Sequence, residues 1–329
     1  LKGLRGVPGG IWRTYIAPEV RVVFESLNKN ACTSLKWMMA DLADEDLSTF
    51  RAGWQPFIDD SEAVHNRGLW KVSPKLDTLS PKQRAEIQPA NGWFIFAVVR
   101  DPRLRLFSAW QNRMLIENPN SQRWKDEWWY PRHPLSRETV IEDFAKFVDH
   151  FEKEPGNWLR TKDAHFRDQT EMLAEHAVPY TRIYEISEMK SLLGDLSAHL
   201  QGQGRQAELY MPQANSTLLR PIGPVFESGV KEQIEQIYAA DFERFGHRWT
   251  FSTAERGGPW TEADLATCEN EAALGRRIAE LHRMARNQRQ KAVRANERIA
   301  ELESELAQAR AGVGAPLRER VPGLRARFT

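Results

Sequence analysis

The sequence predicts an α/β fold: a P-loop-like parallel sheet flanked by helices, followed by a C-terminal coiled-coil helix. Three observations lead there. Short runs of β-branched and aromatic residues alternate with helical stretches over roughly the first 250 residues. One of these runs is apolar at every position. Beyond a Gly-Gly-Pro break, apolar residues recur at alternating spacings of four and three.

Arg21–Ser26 reads as the first strand, rich in Val and Phe. A polar loop follows, and residues 34–42 read as a helix. Trp93–Val99 is the wholly apolar run, the mark of a strand buried on both faces. A helix over Leu104–Leu115 comes next, and Thr181–Ile186 supplies a third strand. Lys231–Phe245 is amphipathic, with Ile234, Ile237, Tyr238 and Phe242 on one face.

Gly257-Gly258-Pro259 ends this pattern. Beyond it Leu274, Ile278, Leu281, Ala285, Gln288, Ala292, Ala295, Ile299, Leu302, Leu306 and Ala309 form a coiled-coil seam with a weak Ala/Gln centre. The chain therefore divides into a globular domain at 1–257, a linker at 258–262, a coiled-coil helix at 263–311 and a basic flexible tail at 312–329. The seam predicts a homodimer. Between Arg276 and Arg298 stand eight Lys or Arg against two Glu. This reads as a solvated coiled-coil face, with contact to anionic lipid or polymer as the alternative.

The net charge is +1 over 329 residues, which argues against a nucleic-acid partner. No apolar run reaches the roughly 18 residues of a membrane span. Leu1–Gly10 is basic and Gly-rich, without the apolar core of a signal peptide. The two cysteines, Cys32 and Cys268, make no disulfide framework, so the expected compartment is reducing and cytoplasmic.

Two loops carry chemistry. Asn28-Lys29-Asn30-Ala31-Cys32-Thr33-Ser34 joins the first strand to its helix. Unpaired N–H groups at a helix start attract an anion, and Lys29 with the Thr33 and Ser34 hydroxyls adds to that. The glycines of the nucleotide triphosphatase loop are absent. A capped helix with a surface lysine is the alternative reading. The second loop, Val99-Arg100-Asp101-Pro102, follows the buried strand. Asp caps a helix and Pro suits its first turn, so Arg100 stands at the carboxyl end of a central strand. Ser108 lies about two turns along the new helix. Arginine and hydroxyl together can hold a phosphate; pairing of Arg100 with a neighbouring acid is the alternative.

Lys29 to Lys36 (KNACTSLK) closely resembles the 5′-phosphosulfate loop of carbohydrate sulfotransferases of the HNK-1 type, in sulfotransferase family 2. Val99 to Trp110 (VRDPRLRLFSAW) resembles their 3′-phosphate motif, in the same order and at a similar separation. His65, Leu79-Ser80-Pro81, His165 with Gln169, and Tyr238–Gly246 also look like that family, so the resemblance covers about Val20 to Trp249. Asn28 stands where the family usually has proline, which removes no ligand atom. The scarcity of cysteine parts the chain from the disulfide-bearing Golgi members.

The resemblance implies transfer of a sulfuryl group from 3′-phosphoadenosine 5′-phosphosulfate (PAPS) to a carbohydrate hydroxyl, releasing 3′,5′-ADP. It implies that Lys29, Asn30, Ala31, Cys32, Thr33 and Ser34 hold the 5′-phosphosulfate, with Lys29 also catalytic, and that Arg100 and Ser108 hold the 3′-phosphate. No metal is expected, since no cluster has ligand spacing. His65 is the first choice of general base, with His165 and Lys36 as rivals. Trp124, Trp128, Trp129 and Tyr130, among Arg123, Lys125, Arg132 and His133, either stack on a sugar or pack over the core. A nucleotide kinase on a similar sheet, and a scaffold carrying a degenerate domain, are the competing functions.

Overall fold

Four strands form one sheet in the computed structural model, which describes residues 13–52, 60–153, 158–205, 208–212, 217–251 and 259–313. They are β1 (Thr14–Ala17), β2 (Val22–Glu25), β3 (Phe94–Val99) and β4 (Arg182–Glu185), in the order β1-β2-β3-β4. β2, β3 and β4 run parallel; β1 pairs antiparallel with β2. The three strands expected from the sequence are all present. β1 was not foreseen: four residues beside Pro18 offer too short a pattern to read.

The helices are α1 (Cys32–Leu42), α2 (Leu47–Ala52), α3 (Pro81–Glu86), α4 (Pro102–Trp110), α5 (Arg137–Lys153), α6 (Trp158–Lys162), α7 (Gln169–Leu173), α8 (Met189–Gly202), α9 (Val230–Ile237), α10 (Ala239–Phe245) and α11 (Glu262–Val313). Two expected helices differ in detail. The one read over Leu104–Leu115 begins at Pro102, capped by Asp101, and its last turn, Gln111–Leu115, is π-helical. The one read over Lys231–Phe245 is broken at Tyr238, whose hydroxyl donates to the Phe166 carbonyl at 2.8 Å. Anchoring that ring sets the turn between α9 and α10.

Side chains alternate across the sheet as a period of two requires. Val22, Phe24, Phe94, Phe96 and Val98 meet Leu35, Met38 and Met39 of α1 and Leu192 and Leu196 of α8. On the other face Val23 and Ile95 meet Leu76, Ile87 and Val178, while Ala97 and Val99 meet Met172, Leu173 and Phe245. Covering on both faces explains why β3 is apolar throughout. A further core gathers Phe107 and Trp110 of α4, Phe144 and Phe147 of α5, and Ile234 of α9.

The chain forms two compact units, 1–275 and 276–329, so the division lies inside α11 and not at the expected 257. The reason is packing. Trp260 is buried, stacks on Phe107 with ring centroids 6.2 Å apart and donates to the Arg220 carbonyl at 2.8 Å. Cys268 and Ala272 are buried, and Glu269 accepts from the Leu135 amide and meets His133 at 2.9 Å. A Cβ on Gly275 would stand 2.5 Å from the Ile116 and Glu117 carbonyl oxygens, so only glycine fits there. Residues 259–262 of the proposed linker and the first turns of the long helix thus belong to the globular unit. In the second unit the helix is largely exposed, including Ile299, Leu302 and Leu306 of the seam. The expected basic tail from Gly314 onward lies outside the described residues.

Candidate functional site

β2 and β3 are parallel neighbours, so the loops leaving their carboxyl ends emerge side by side. This brings together two segments some 70 residues apart in sequence (roughly, from the spacing of Lys29 and Arg100) at the ligand-binding edge of an open α/β sheet.

In the first loop Lys29 has φ 68° and Ala31 φ 56°. Left-handed backbone costs a non-glycine residue roughly 1–2 kcal/mol, and it recurs in anion-binding nests. Ala31 is the N-cap of α1 and offers no side-chain cap. Cys32, Thr33 and Ser34 form the first turn and are buried. Burial lowers the pKa of Lys29, with nearby Arg100 and Arg113 acting in the same direction.

The two loops are joined by several bonds. Arg100 Nη1 donates to the Lys29 carbonyl at 3.1 Å. Asn30 Nδ2 donates to the Val98 carbonyl at 2.8 Å and to Gln169 Oε1 at 2.7 Å. Gln169 Oε1 also accepts from the Arg100 amide at 2.9 Å, and its Nε2 donates to the Arg100 carbonyl at 2.8 Å. Asp241 in turn accepts from the Gln169 amide at 3.0 Å. Arg105, fully buried, donates to the carbonyls of Asn28, Ala164 and Arg167. Burial brings the Arg100 pKa down to about 10, against the raising influence of Asp101 and Glu185, so it stays charged at neutral pH. Its cation is not spent on Asp101: that carboxylate pairs with Arg103 at 2.5 Å. Ser108 is buried, with its hydroxyl 2.9 Å from that of Thr217.

Two histidines reach the first loop and the helix it opens. His65 places Nε2 2.9 Å from the Thr33 hydroxyl and Nδ1 2.9 Å from Lys36 Nζ. The Lys36 ammonium can only donate, so Nδ1 carries the lone pair and Nε2 carries the proton. His65 is exposed as a residue, yet the groups packed around its imidazole cost it hydration. Dehydration, then the charges of Lys36, His165 and Lys29, hold its pKa well below the usual value. His165 is arranged the other way. Its Nδ1 lies 2.6 Å from Asp163 Oδ1, and its Nε2 lies 3.2 Å from Asn28 Nδ2. Arg113 pairs with Asp163 at 2.7 Å. Burial alone would raise the Asp163 pKa; the bond to His165 and the Arg113 charge hold it well below the usual range. Burial takes His165 down to about 4 despite Asp163, so its ring is neutral near pH 7. Its Nδ1 then donates to Asp163 and Nε2 keeps the lone pair.

Sequence reasoning placed Lys29–Ser34, Arg100, His65 and His165 at this site, and the fold brings them together. It missed Asp163, Arg113 and the stapling role of Gln169. The Asp-x-His spacing of Asp163 and His165 was the available signal. The aromatic group turns out to be packed: Trp129 and Tyr130 are buried, and Trp129 stacks on His150 at 4.7 Å. Arg132 is paired with Glu142 and Asp143, and His133 with Glu269; Trp128 alone of the four aromatics is largely exposed. Among the described residues no group of three or more His, Cys, Asp or Glu could hold a metal, and no helix is long and apolar enough to cross a membrane.

The chain matches no curated protein and no solved structure. The model of the sulfotransferase family does match, over residues 12–248, which takes in both loops, both histidines and the Asp241 that steadies Gln169; the chain belongs to that family.

Proposed function

We propose that this sulfotransferase takes its sulfuryl group from PAPS and delivers it to a hydroxyl of a carbohydrate or glycoconjugate, releasing 3′,5′-ADP. The observation that supports the donor is the bond from Arg100 to the Lys29 carbonyl, which holds the arginine that would read a 3′-phosphate beside the loop that would bind a phosphosulfate. The residues fit the donor in another respect: Lys29 brings a cation, and Thr33 and Ser34 bring hydroxyl donors, to the first turn of α1, as an anionic phosphosulfate requires. The carbohydrate acceptor rests on the resemblance to HNK-1-type enzymes.

PAPS supplies an activated sulfuryl group with a good leaving group. Catalysis then needs positioning and charge stabilisation. Lys29, the Thr33 and Ser34 hydroxyls and the amides opening α1 bind the 5′-phosphosulfate. Lys29 also steadies the negative charge that grows on the leaving oxygen. Arg100 and Ser108 bind the 3′-phosphate, which distinguishes PAPS from ATP.

The acceptor's proton goes to His165. The sequence alone favoured His65, but His65 directs its lone pair at Lys36 and its proton at Thr33. Asp163 holds His165 in the tautomer with a lone pair on Nε2, met by the neutral Asn28 amide at 3.2 Å; an acceptor hydroxyl displaces that bond more readily than the 2.9 Å contact of the Lys36 ammonium with His65. His65 orients Lys36 and Thr33 instead.

Calorimetry with 3′,5′-ADP tests the donor. Tight binding without magnesium is expected, whereas magnesium-dependent ATP binding would favour a kinase. Transfer from labelled PAPS across a panel of glycans then identifies the acceptor.

A further inference from the structure

We infer that the second unit is a parallel, in-register, two-stranded coiled coil, in which a second copy of this chain covers the exposed seam. The argument starts from what is exposed. Leu281, Ile299, Leu302 and Leu306 are large apolar side chains open to solvent on a continuous helix, where most of the surrounding positions are charged or small. Burying one such side chain is worth about 1.5–3 kcal/mol, so a matching surface would bind this stripe.

Residue types at the seam choose the number of strands. With Ile278 placed at a, the a positions continue as Ala285, Ala292, Ile299 and Leu306, and the d positions are Leu274, Leu281, Gln288, Ala295, Leu302 and Ala309. At both ends, Ile at a stands beside Leu at d. That combination packs best in a parallel pair of helices and poorly in trimers or tetramers.

Gln288 chooses the direction. In a parallel pair it meets Gln288 of the second copy, and two amides can bond each other across the seam. In an antiparallel pair the layers run a against d, and keeping Leu281 opposite Leu306 sets Gln288 opposite Ile299. An amide buried there without a partner costs about 1–3 kcal/mol per site. A shifted parallel register strands the same amide, so Gln288 also fixes alignment.

The flanking charges agree. A parallel pair sets Arg298 near Glu303 of the second copy and Glu305 near Arg310, two opposite-charge contacts at each side of the seam. The antiparallel pair instead sets Lys291 near Arg298. Within one helix Arg298 holds Glu301 at 2.9 Å and lies 3.8 Å from Glu305, which leaves Glu303 without those intrachain claims. The two sets of contacts are compatible, because a guanidinium carries five donors.

Light scattering and cysteine pairing test this on the full chain. Cys32 and Cys268 are buried, so an introduced thiol on the exposed helix reports alone. Wild type should be a dimer. Gln288→Cys should form a disulfide-linked dimer under mild oxidation, because facing d positions lie within disulfide reach. The double variant Ile299→Asp/Leu302→Asp should be a monomer with unchanged 3′,5′-ADP affinity, since neither residue lies in the globular unit. A wild-type monomer or trimer would overturn the inference. So would a Gln288→Cys chain that dimerises without cross-linking, while Gln288→Cys/Ile299→Cys links readily.

Discussion

Arg100 donates to the backbone carbonyl of Lys29 at 3.1 Å, so the residue expected to read the 3′-phosphate also holds the loop expected to bind the 5′-phosphosulfate. If PAPS binds as proposed, donor recognition at one end is coupled to loop geometry at the other. Arg100→Ala should weaken PAPS binding at least about tenfold, since charge-assisted bonds contribute roughly 1.5–3 kcal/mol. It should also narrow the preference for PAPS over adenosine 5′-phosphosulfate, which lacks the 3′-phosphate. Calorimetry with both donors checks this; equal losses would mean Arg100 serves the loop alone.

Lys29→Ala should cut turnover on the order of 10²–10³-fold, the usual cost of removing one donor from developing charge. Binding of 3′,5′-ADP should fall less, because the largest demand on Lys29 comes in the transition state. Turnover equal to wild type would remove Lys29 from the mechanism.

For the base, His165→Ala should lower kcat by about 10²–10⁴-fold with 3′,5′-ADP affinity kept, and added imidazole should restore part of the rate. Asp163→Asn should reduce kcat with little change in nucleotide binding, because it weakens the hold on the tautomer. With the His165 pKa near 4, kcat/KM should stay level from neutral pH down and decline only as pH approaches about 4. A severe, imidazole-rescued loss in His65→Ala with a mild one in His165→Ala would return the role to His65.

Glu25 ends β2 just before the loop that carries Lys29 and is buried, with Thr14 donating to it at 2.7 Å. Burial raises its pKa from 4.5 to about 7. Between these values the native chain holds a proton that the unfolded chain has released, so native stability falls as pH rises through this window. Each pKa unit corresponds to about 1.4 kcal/mol, giving a loss of up to about 3 kcal/mol by pH 8. Glu25→Gln keeps the Thr14 bond and removes the charge. Urea unfolding should show it more stable than wild type at pH 8 and nearly equal at pH 5; a gain at pH 5 alone would contradict this sign.

Truncation should separate the two possible domain boundaries. A chain ending after Gly257 loses the buried Trp260, Cys268 and Ala272 and should unfold at a markedly lower temperature than wild type. A chain ending after Gly275 keeps them and should retain both its Tm and its 3′,5′-ADP affinity. Thermal unfolding of the two truncations decides, and equal Tm values would restore the boundary at 257.

Local pattern sufficed for some of this protein. The apolar run Trp93–Val99 could be read as a central strand because a strand covered on both faces has no place for a polar residue. Asp101-Pro102 could be read as a helix start, because capping chemistry is local. The two candidate donor loops were legible for the same reason: each is a short strand-to-helix turn whose residue types are set locally. Other features depended on contacts distant in sequence. Tyr238 breaks a helix because its hydroxyl reaches Phe166, and Trp260 extends the globular unit because its ring lies on Phe107. The competition between His65 and His165 is of that kind too. Both were visible as histidines, but which nitrogen holds a lone pair follows from Lys36 beside one ring and Asp163 beside the other. Sequence by itself determined the two strand-to-helix loops and the cations and hydroxyls they carry; only the tertiary structure decided their partners, because a proton's position depends on the donors and acceptors that folding sets around it.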